Sequence, residues 1–414
     1  MKKILLILLA VIATAPAFAQ IVVIDGITYA TDHYEGCAWV STAESTVTVA
    51  NIRSSVRYDG REYPVTHIGD AAFRNCLSLT SVIIPNSVTS IYYGAFAGCS
   101  NLTSVSFPNS LTSIGSHAFH DCESLPSINI PNSVTSIEEM AFAECSSLTS
   151  VSIPNSVISV GSMAFAYCPS LTSVSIGNSV TFIDEGVFRG CENLKSVNIG
   201  NSVTSIGTKA FYYCKSLTSI NIPNSVISIE DAAFYNSENL PSIDIPNSVT
   251  SIGREAFYNC ESLASINIPN SITSIEHDIF NGCSSLTSIS IPKSVTYIGN
   301  CAFWRCDNLK TVYCYATTPP SAEESSFEFR PLKTLHVPEG TKDAYAVAKV
   351  WKDFGTSIDD LDPNAADGVA DIMVDSNAPK TYYRLDGVNV AADALTPGIY
   401  IVRQGNTSKQ VLIK

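Results

Sequence analysis

The chain has 414 residues, with 38 acidic against 24 basic side chains and a formal net charge of −14 at pH 7. That balance disfavours nucleic acid and anionic lipid as partners. Only 15% of the residues are charged, and abundant Ser, Thr and Asn give a surface suited to hydrogen bonding.

Met1–Ala19 carries Lys2 and Lys3, an apolar run from Ile4 to Thr14 and Ala17-Phe18-Ala19 before Gln20. This is the signature of a secretory signal peptide cut after Ala19. No cysteine stands at the cut, so a lipid anchor is not indicated. The apolar run is too short to span a membrane, and no other stretch offers a span. The expected product is exported, with no transmembrane segment once the signal is removed.

Residues 20–64 hold the β-rich runs Ile21–Ile24, Ile27–Tyr29, Val47–Val49 and Ser54–Tyr58. Asp25-Gly26 and Asp59-Gly60 between them are hairpin signals. The segment reads as an N-terminal β cap that protects the open strand edge of the region from residue 65 onward. It joins that region at Val65 and Ile68, in register with Val88 and Ile91.

From residue 65 to 314 one unit repeats. Phenylalanine recurs from Phe73 to Phe303 in eleven copies at a strict spacing of 23 residues. A fixed period of this size means one supersecondary unit stacked on copies of itself, so the fold class is a mainly β repeat solenoid. Counting from each Phe, Cys follows at three, Leu at six, Val or Ile at nine, Ile usually at eleven, Pro or Gly at twelve and Val, Leu or Ile at fifteen. Ile or Val closes the unit at eighteen. The Leu-x-x-Val-x-Ile segments, as in Leu125–Ile130 and Leu217–Ile222, end in alternation and predict a short strand with its large residues inward. Pro-Asn-Ser then turns a corner, because proline removes a ladder donor and Asn-Ser favours a turn. Val-Thr-Ser-Ile forms a second extended piece, and four residues return to the next Ala-Phe as a turn or a short helical stretch. Eleven coils about 4.8 Å apart give a stack of roughly 50 Å.

The pattern Ala-Phe-x-x-Cys-x-x-Leu-x-x-Val-x-Ile-Pro-x-x-Val-x-x-Ile-Gly resembles the BspA-like, Treponema-type leucine-rich repeats of bacterial surface proteins. Departures are few. Ser237 stands for Cys, Gly177 and Gly200 for Pro, and Val187 and Ile279 for the Ala before Phe.

After Cys314 the register is lost. Residues 315–357 read as a C-terminal cap: Thr317-Thr318-Pro319-Pro320 breaks the coil, Thr334–Val337 is one more strand, and Thr341–Trp351 is a short helix with Thr341 as N-cap. The resemblance supports this cap at Trp351 and Phe354. Residues 358–380 are rich in Asp, Ala, Asn and Pro and read as a linker. Residues 381–414 carry three short β runs, Tyr382–Val390, Gly398–Val402 and Gln410–Ile413. They resemble a short form of the C-terminal sorting tails used by Bacteroidetes proteins on the type IX secretion route; a plain small β module is the alternative.

Ten of the thirteen cysteines (Cys76, Cys99, Cys122, Cys145, Cys168, Cys191, Cys214, Cys260, Cys283 and Cys306) share one repeat position. Spacing by 23 stacks them in a ladder among core residues, which reads as buried structural thiols. Cys37, Cys301 and Cys314 lie outside it, and their pairing, a bridge at Cys301 included, stays open. His117 and His120, with Asp121 and Glu123, read as an exposed return loop rather than a metal cluster, because no third histidine has supporting spacing. No nucleophile elbow, P-loop or metal motif occurs. No enzyme activity, cofactor or metal is therefore expected.

Two surfaces remain as binding candidates. Outward strand positions such as Ser104 and Ser106, Ser127 and Asn129, Ser219 and Asn221, or Ser242 and Asp244 form a sheet of hydroxyls and amides, or simply a solvated face. The sharper candidate is aromatic: Tyr212, Tyr235 and Tyr258 in three successive coils, with Tyr213 beside the first and Trp304 two coils beyond the third. These rings either form a ligand-binding row or pack on each other to seal the edge. The resemblance implies an exported or cell-surface protein of a Gram-negative bacterium that adheres to proteins of host or bacterial surfaces. Glycan capture for nutrient uptake and a passive structural role are the other readings.

Overall fold

The computed structural model describes residues 19–327 and 334–361, and the strands at 380–383, 389–390, 398–404 and 407–413. The signal-peptide reading falls on residues 1–18 and most of the linker on 362–379, both outside the described residues. The chain divides into two compact units, Met1–Asp360 and Leu361–Lys414.

The first unit is a β-solenoid of about 14 turns. The eleven Phe repeats therefore undercount it, because both caps adopt the coil geometry themselves. At the start, strand Val49–Asn51 pairs in parallel with Ser81–Ile83 of the first Phe coil. At the end, Thr311–Cys314, Thr334–Val337 and Ile358–Asp360 are successive parallel rungs. Ile358–Asp360 thus belongs to the solenoid and not to the linker, with Ile358 buried in its core.

Each coil has a first strand about eight residues after the Phe and a second, shorter strand ending eighteen after it, as at Ser173–Ile176 and Phe182–Ile183. Register is one coil per rung, for example Ser150↔Ser173 and Ile153↔Ile176. The first-strand ladder is interrupted at Pro126 and Pro241, and again between Ser265–Ile266 and Ser288–Ile291. Thr103 and Thr149 donate their N–H groups one coil back, to Thr80 and Pro126. Proline at 126 has no N–H to give, and the predicted strand within Leu125–Ile130 does not form, although Ser219–Asn221 in the other quoted segment does.

The return segment is built from turns, with two left-handed residues per coil flanking the Phe. Met163 (φ 55°), Tyr167 (φ 56°), Lys209 (φ 56°) and Tyr213 (φ 61°) are among those that are not glycine. Such a conformation disfavours an L side chain by about 1 kcal/mol, but it aims the N–H along the stack. Tyr213 N–H donates to the Tyr235 carbonyl at 2.8 Å and Lys209 N–H to that of Asp231 at 2.9 Å. Every return segment is thereby tied to the next.

Inside, the repeat Phe rings form one column from Phe73 to Phe303, extended to Phe327, with neighbouring centroids 4.9–5.9 Å apart and nearly parallel planes. All are fully buried. Beside them runs the cysteine ladder. Nine thiols donate to the carbonyl oxygen of the Phe 26 residues earlier, at 3.1–3.3 Å. All thirteen cysteines are free, so Cys301 forms no bridge; its sulfur lies 3.7 Å from the Ser325 hydroxyl. Gly177 and Gly200, at the Pro position, approach the preceding coil closely: a Cβ at Gly200 would lie 2.3 Å from the Gly177 carbonyl oxygen.

The N-terminal cap contains both predicted hairpins, Gln20–Ile24 with Ile27–Asp32 and Ser55–Tyr58 with Arg61–Ile68. Their Asp-Gly turns have positive φ at both residues, the pattern that matches strand twist. Between them lies an unpredicted strand, Cys37–Ala43, antiparallel to Ile27–Asp32 and parallel to Arg61–Ile68. In the C-terminal cap the helix is shorter than expected, Lys342–Val347, followed by a 3-10 turn at Trp351–Phe354. Thr341 does not cap it through its side chain; its hydroxyl donates backwards to the Pro338 carbonyl at 2.7 Å.

The second unit contains an antiparallel sheet in which Lys380–Tyr383 pairs with Asn389–Val390 and with Gly398–Gln404, and the latter with Thr407–Ile413. Four strands thus stand where three were expected.

Candidate functional site

The Phe of each repeat is buried, and the residue after it reaches the surface at Tyr212, Tyr235 and Tyr258, while Ala143 and Ala166 at the same position are buried. Stacking by one coil then places Tyr212, Tyr235 and Tyr258 in a surface row. Tyr212 and Tyr235 lie 4.8 Å apart, centroid to centroid, and Tyr235 and Tyr258 4.5 Å apart at 2° between planes. Tyr213 stands beside the row, 4.7 Å from Tyr212 and 6.0 Å from Tyr235. The four tyrosines are half-buried. Trp304 is more exposed and stands apart, because Asn281 takes the intervening place in the row and is buried, donating to Asp278.

The row extends the other way to residues that the sequence pattern alone did not single out. The Arg189 guanidinium lies 5.5 Å from the Tyr167 ring centroid and 5.2 Å from that of Tyr212. The Lys215 ammonium lies over Tyr213 at 5.5 Å and pairs with Glu192 at 3.3 Å. Arg189 occupies the same repeat position as the row tyrosines, so the 23-residue register already contained that signal. Residues 75–188 contain no Lys or Arg at all, which makes the cations at 189, 209 and 215 a local feature of these coils.

The stacking axis is the axis of the solenoid, so ring faces are occupied by neighbouring rings. What remains for a partner is ring edges and hydroxyl groups. Burial first, then the neighbouring Tyr258 and Tyr212, push the Tyr235 hydroxyl up to about 12. Burial and Tyr213 raise that of Tyr212 as well, against the opposing pull of Arg189. At neutral pH these groups stay protonated and act as hydrogen-bond donors.

A second aromatic group lies near the N-terminal end. Trp39 stacks on His67 at 5.5 Å and His67 on Tyr92 at 4.7 Å. Tyr93 meets His117 at 5.3 Å, and His117 meets His120 at 5.5 Å. His120 reaches Glu144 at 3.6 Å. The two histidines expected in an exposed loop are therefore half-buried among rings. Among the described residues no group of three or more His, Cys, Asp or Glu is placed to hold a metal, and no helix is long and apolar enough to cross a membrane.

The outward positions of the first strands are exposed, as at Ser104, Ser106, Asn129, Ser152, Asn221 and Asp244. At the end of this face the character changes: Tyr313 and His336, in adjacent rungs, stack at 4.9 Å.

A family model described as a BspA type leucine rich repeat region matches residues 66–195, 159–253, 181–310 and 227–347, together more than half of the chain. Among solved structures, a leucine-rich repeat protein from Bacteroides ovatus is 28% identical with a TM-score of 0.63, over 82% of this chain and 100% of that one. A leucine rich cell surface protein from Faecalibacterium prausnitzii is 31% identical with a TM-score of 0.54, over 80% of this chain and 98% of that one. No curated protein matches the chain.

Proposed function

Because the chain belongs to the BspA-type leucine-rich-repeat family, we infer that it acts at the cell surface as an adhesin-like protein that binds other proteins and carries out no catalysis. The family's surface-protein relatives support binding as the general role. The signal-peptide signature favours export, and the tail is proposed to serve sorting. Solenoids suit such a role because successive coils add contact area to one continuous side.

The observation that carries the reading is the strip Tyr167–Arg189–Tyr212–Tyr235–Tyr258 with Tyr213 and Lys215 beside it. Tyr and Arg are the side chains that anchor protein interfaces, and here stacking fixes them in advance, which lowers the ordering cost of binding. Occupied ring faces at Tyr212 and Tyr235 leave none for a pyranose to stack on, which favours a protein over a glycan at this strip. The test passes residues 20–414 and the Tyr235→Ala variant over an array of host and bacterial extracellular proteins. Hits that weaken with the variant support the reading. Absence of hits, or hits indifferent to the variant, removes the strip as the binding site.

A further inference from the structure

A different side of the solenoid carries a second kind of surface. After the first strand the chain turns at Pro-Asn-Ser, or at Gly-Asn-Ser from Gly177 and Gly200, and the corner asparagine recurs once per coil from Asn86 to Asn270 without a break, the six from Asn132 to Asn247 forming a rail. Beside this rail runs another, made by the last outward residue of the strand, from Ser152 to Asn267. Between the two rails lie concavities of about 740 Å³ and about 620 Å³, the first ending at Asn178 and Asn198 and the second beginning at Asn201 and Asn221. Lying end to end in adjacent coils, the two concavities span six coils, roughly 24 Å at a rung spacing near 4.8 Å, and are together termed the trough.

Two of the corner amides, Asn155 and Asn178, are oriented by the fold. Asn155 Oδ1 accepts the N–H of Asn178 at 2.7 Å, and Asn178 Oδ1 accepts that of Asn201 at 2.9 Å. Each bond holds the carbonyl end of an amide on the protein and turns its NH2 end, a donor, away. Asn155 and Asn178 therefore present donors, the other corner asparagines offer both ends of their amides, and the hydroxyls of Ser152 and Ser175 and the acceptor Asp244 stand on the facing rail.

Three classes of occupant fit poorly. The lining has no Lys or Arg, and its one charged side chain is Asp244, so an anionic chain is disfavoured. It has no Tyr, Trp or Arg to anchor a folded protein. An extended peptide repeats its side chains on one face every roughly 6.6 Å, out of step with the rungs. A neutral polysaccharide suits it: each extended pyranose advances by close to one rung, and hydroxyls both donate to and accept from side-chain amides.

We propose that this trough binds a linear neutral polysaccharide lying along the solenoid axis, one sugar per coil. The site is separate from the tyrosine strip, so one protein would hold a glycan and a protein partner on different sides. Many weak contacts in register make affinity rise with chain length.

Calorimetric titration of residues 20–414 with cellohexaose, mannohexaose and xylohexaose, each beside its disaccharide, and with hexagalacturonate tests this. The expected result is binding of at least one neutral hexaose, more than about tenfold tighter than its disaccharide. The Asn224→Ala/Asn247→Ala double variant should lose at least about tenfold in affinity with an unchanged unfolding midpoint, while Tyr235→Ala should bind as the parent does. No binding of any neutral hexaose, a preference for hexagalacturonate, or affinity lost with Tyr235→Ala and kept in the double variant overturns the proposal. Protein hits on the array stand or fall independently of these outcomes.

Discussion

The Cys260 thiol donates to the Phe234 carbonyl oxygen at 3.3 Å, across the boundary between two coils. The same bond recurs along the ladder and breaks at one place: Ser237 occupies the Cys position, is fully buried and has no partner for its hydroxyl. The shorter C–O bond leaves the oxygen short of the Phe211 carbonyl that a sulfur would reach. An unsatisfied buried hydroxyl costs about 1–3 kcal/mol. Ser237→Cys is expected to stabilise by about 1–2 kcal/mol, and Ser237→Ala by less. Urea unfolding of both variants checks it; a destabilised Ser237→Cys would mean that the sulfur does not fit.

The ladder also sets a pH limit. Burial pushes the Cys99, Cys168 and Cys260 thiols up to about 12 from an ordinary value of 9.0, and those of Cys122, Cys145, Cys191 and Cys283 rise well above it for the same reason. Above 9 the unfolded chain releases these protons while the folded chain keeps them. Stability is thus full below pH 9 and falls as pH rises towards 12, by about 1.4 kcal/mol per pH unit for each thiol. Urea midpoints at about pH 8 and about pH 10.5 should differ sharply, and Cys145→Ala should lower the slope. Equal midpoints would contradict the thiol account.

Pro126→Thr should join two separate sheets. Thr at the equivalent position 149 donates both its N–H and its hydroxyl one coil back, at 3.1 Å each. The two added bonds contribute about 0.5–1.5 kcal/mol each, the exposed hydroxyl's at the low end, while losing proline frees the unfolded chain by about 0.4–1 kcal/mol. The bonds outweigh the lost proline slightly, so the first readout is local: amide exchange over residues 127–129 should slow, with an unfolding midpoint unchanged or slightly raised.

Tyr235→Ala removes the close ring stacks on Tyr212 and Tyr258 and the longer one on Tyr213. Each is worth about 0.5–1.5 kcal/mol, and half-burial places the expected loss near 1–2 kcal/mol. A thermal midpoint unchanged by the substitution would show that the row does not seal the coil edge.

The repeat makes most of the fold readable, because the Phe, Cys, Leu and Ile positions report burial directly through a spacing that never drifts. The strand at Cys37–Ala43 is not readable: it lies outside the repeat, and its partners at Ile27–Asp32 and Arg61–Ile68 are set by tertiary pairing. Thr341 has the composition of an N-cap, but its backbone is already in the right-handed helical region (φ −105°, ψ −5°) rather than the extended one that aims a capping oxygen at the first turn. The tyrosine row is legible as a row. That its faces close on one another is not, since spacing alone does not orient a ring. Arg189 shares the register of the row, yet its side chain carries no aromatic signature, and only the stacking geometry shows that it continues the series.

The coils between Phe96 and Phe280 present nearly the same upper and lower surface, each Phe meeting a Phe and each thiol a carbonyl. Any junction among them is therefore interchangeable with any other. Loss or gain of one 23-residue block rejoins two surfaces that match in the Phe column, so the reach of the molecule can change in a single genetic event while the core contacts stay native away from Ser237, Pro126 and Pro241. The ends have no such freedom, since Cys37–Ala43 pairs with Ile27–Asp32 and Arg61–Ile68, and Trp351 packs on Phe327 and Tyr345, contacts that no repeat coil offers. Length is variable in the middle and fixed at the ends.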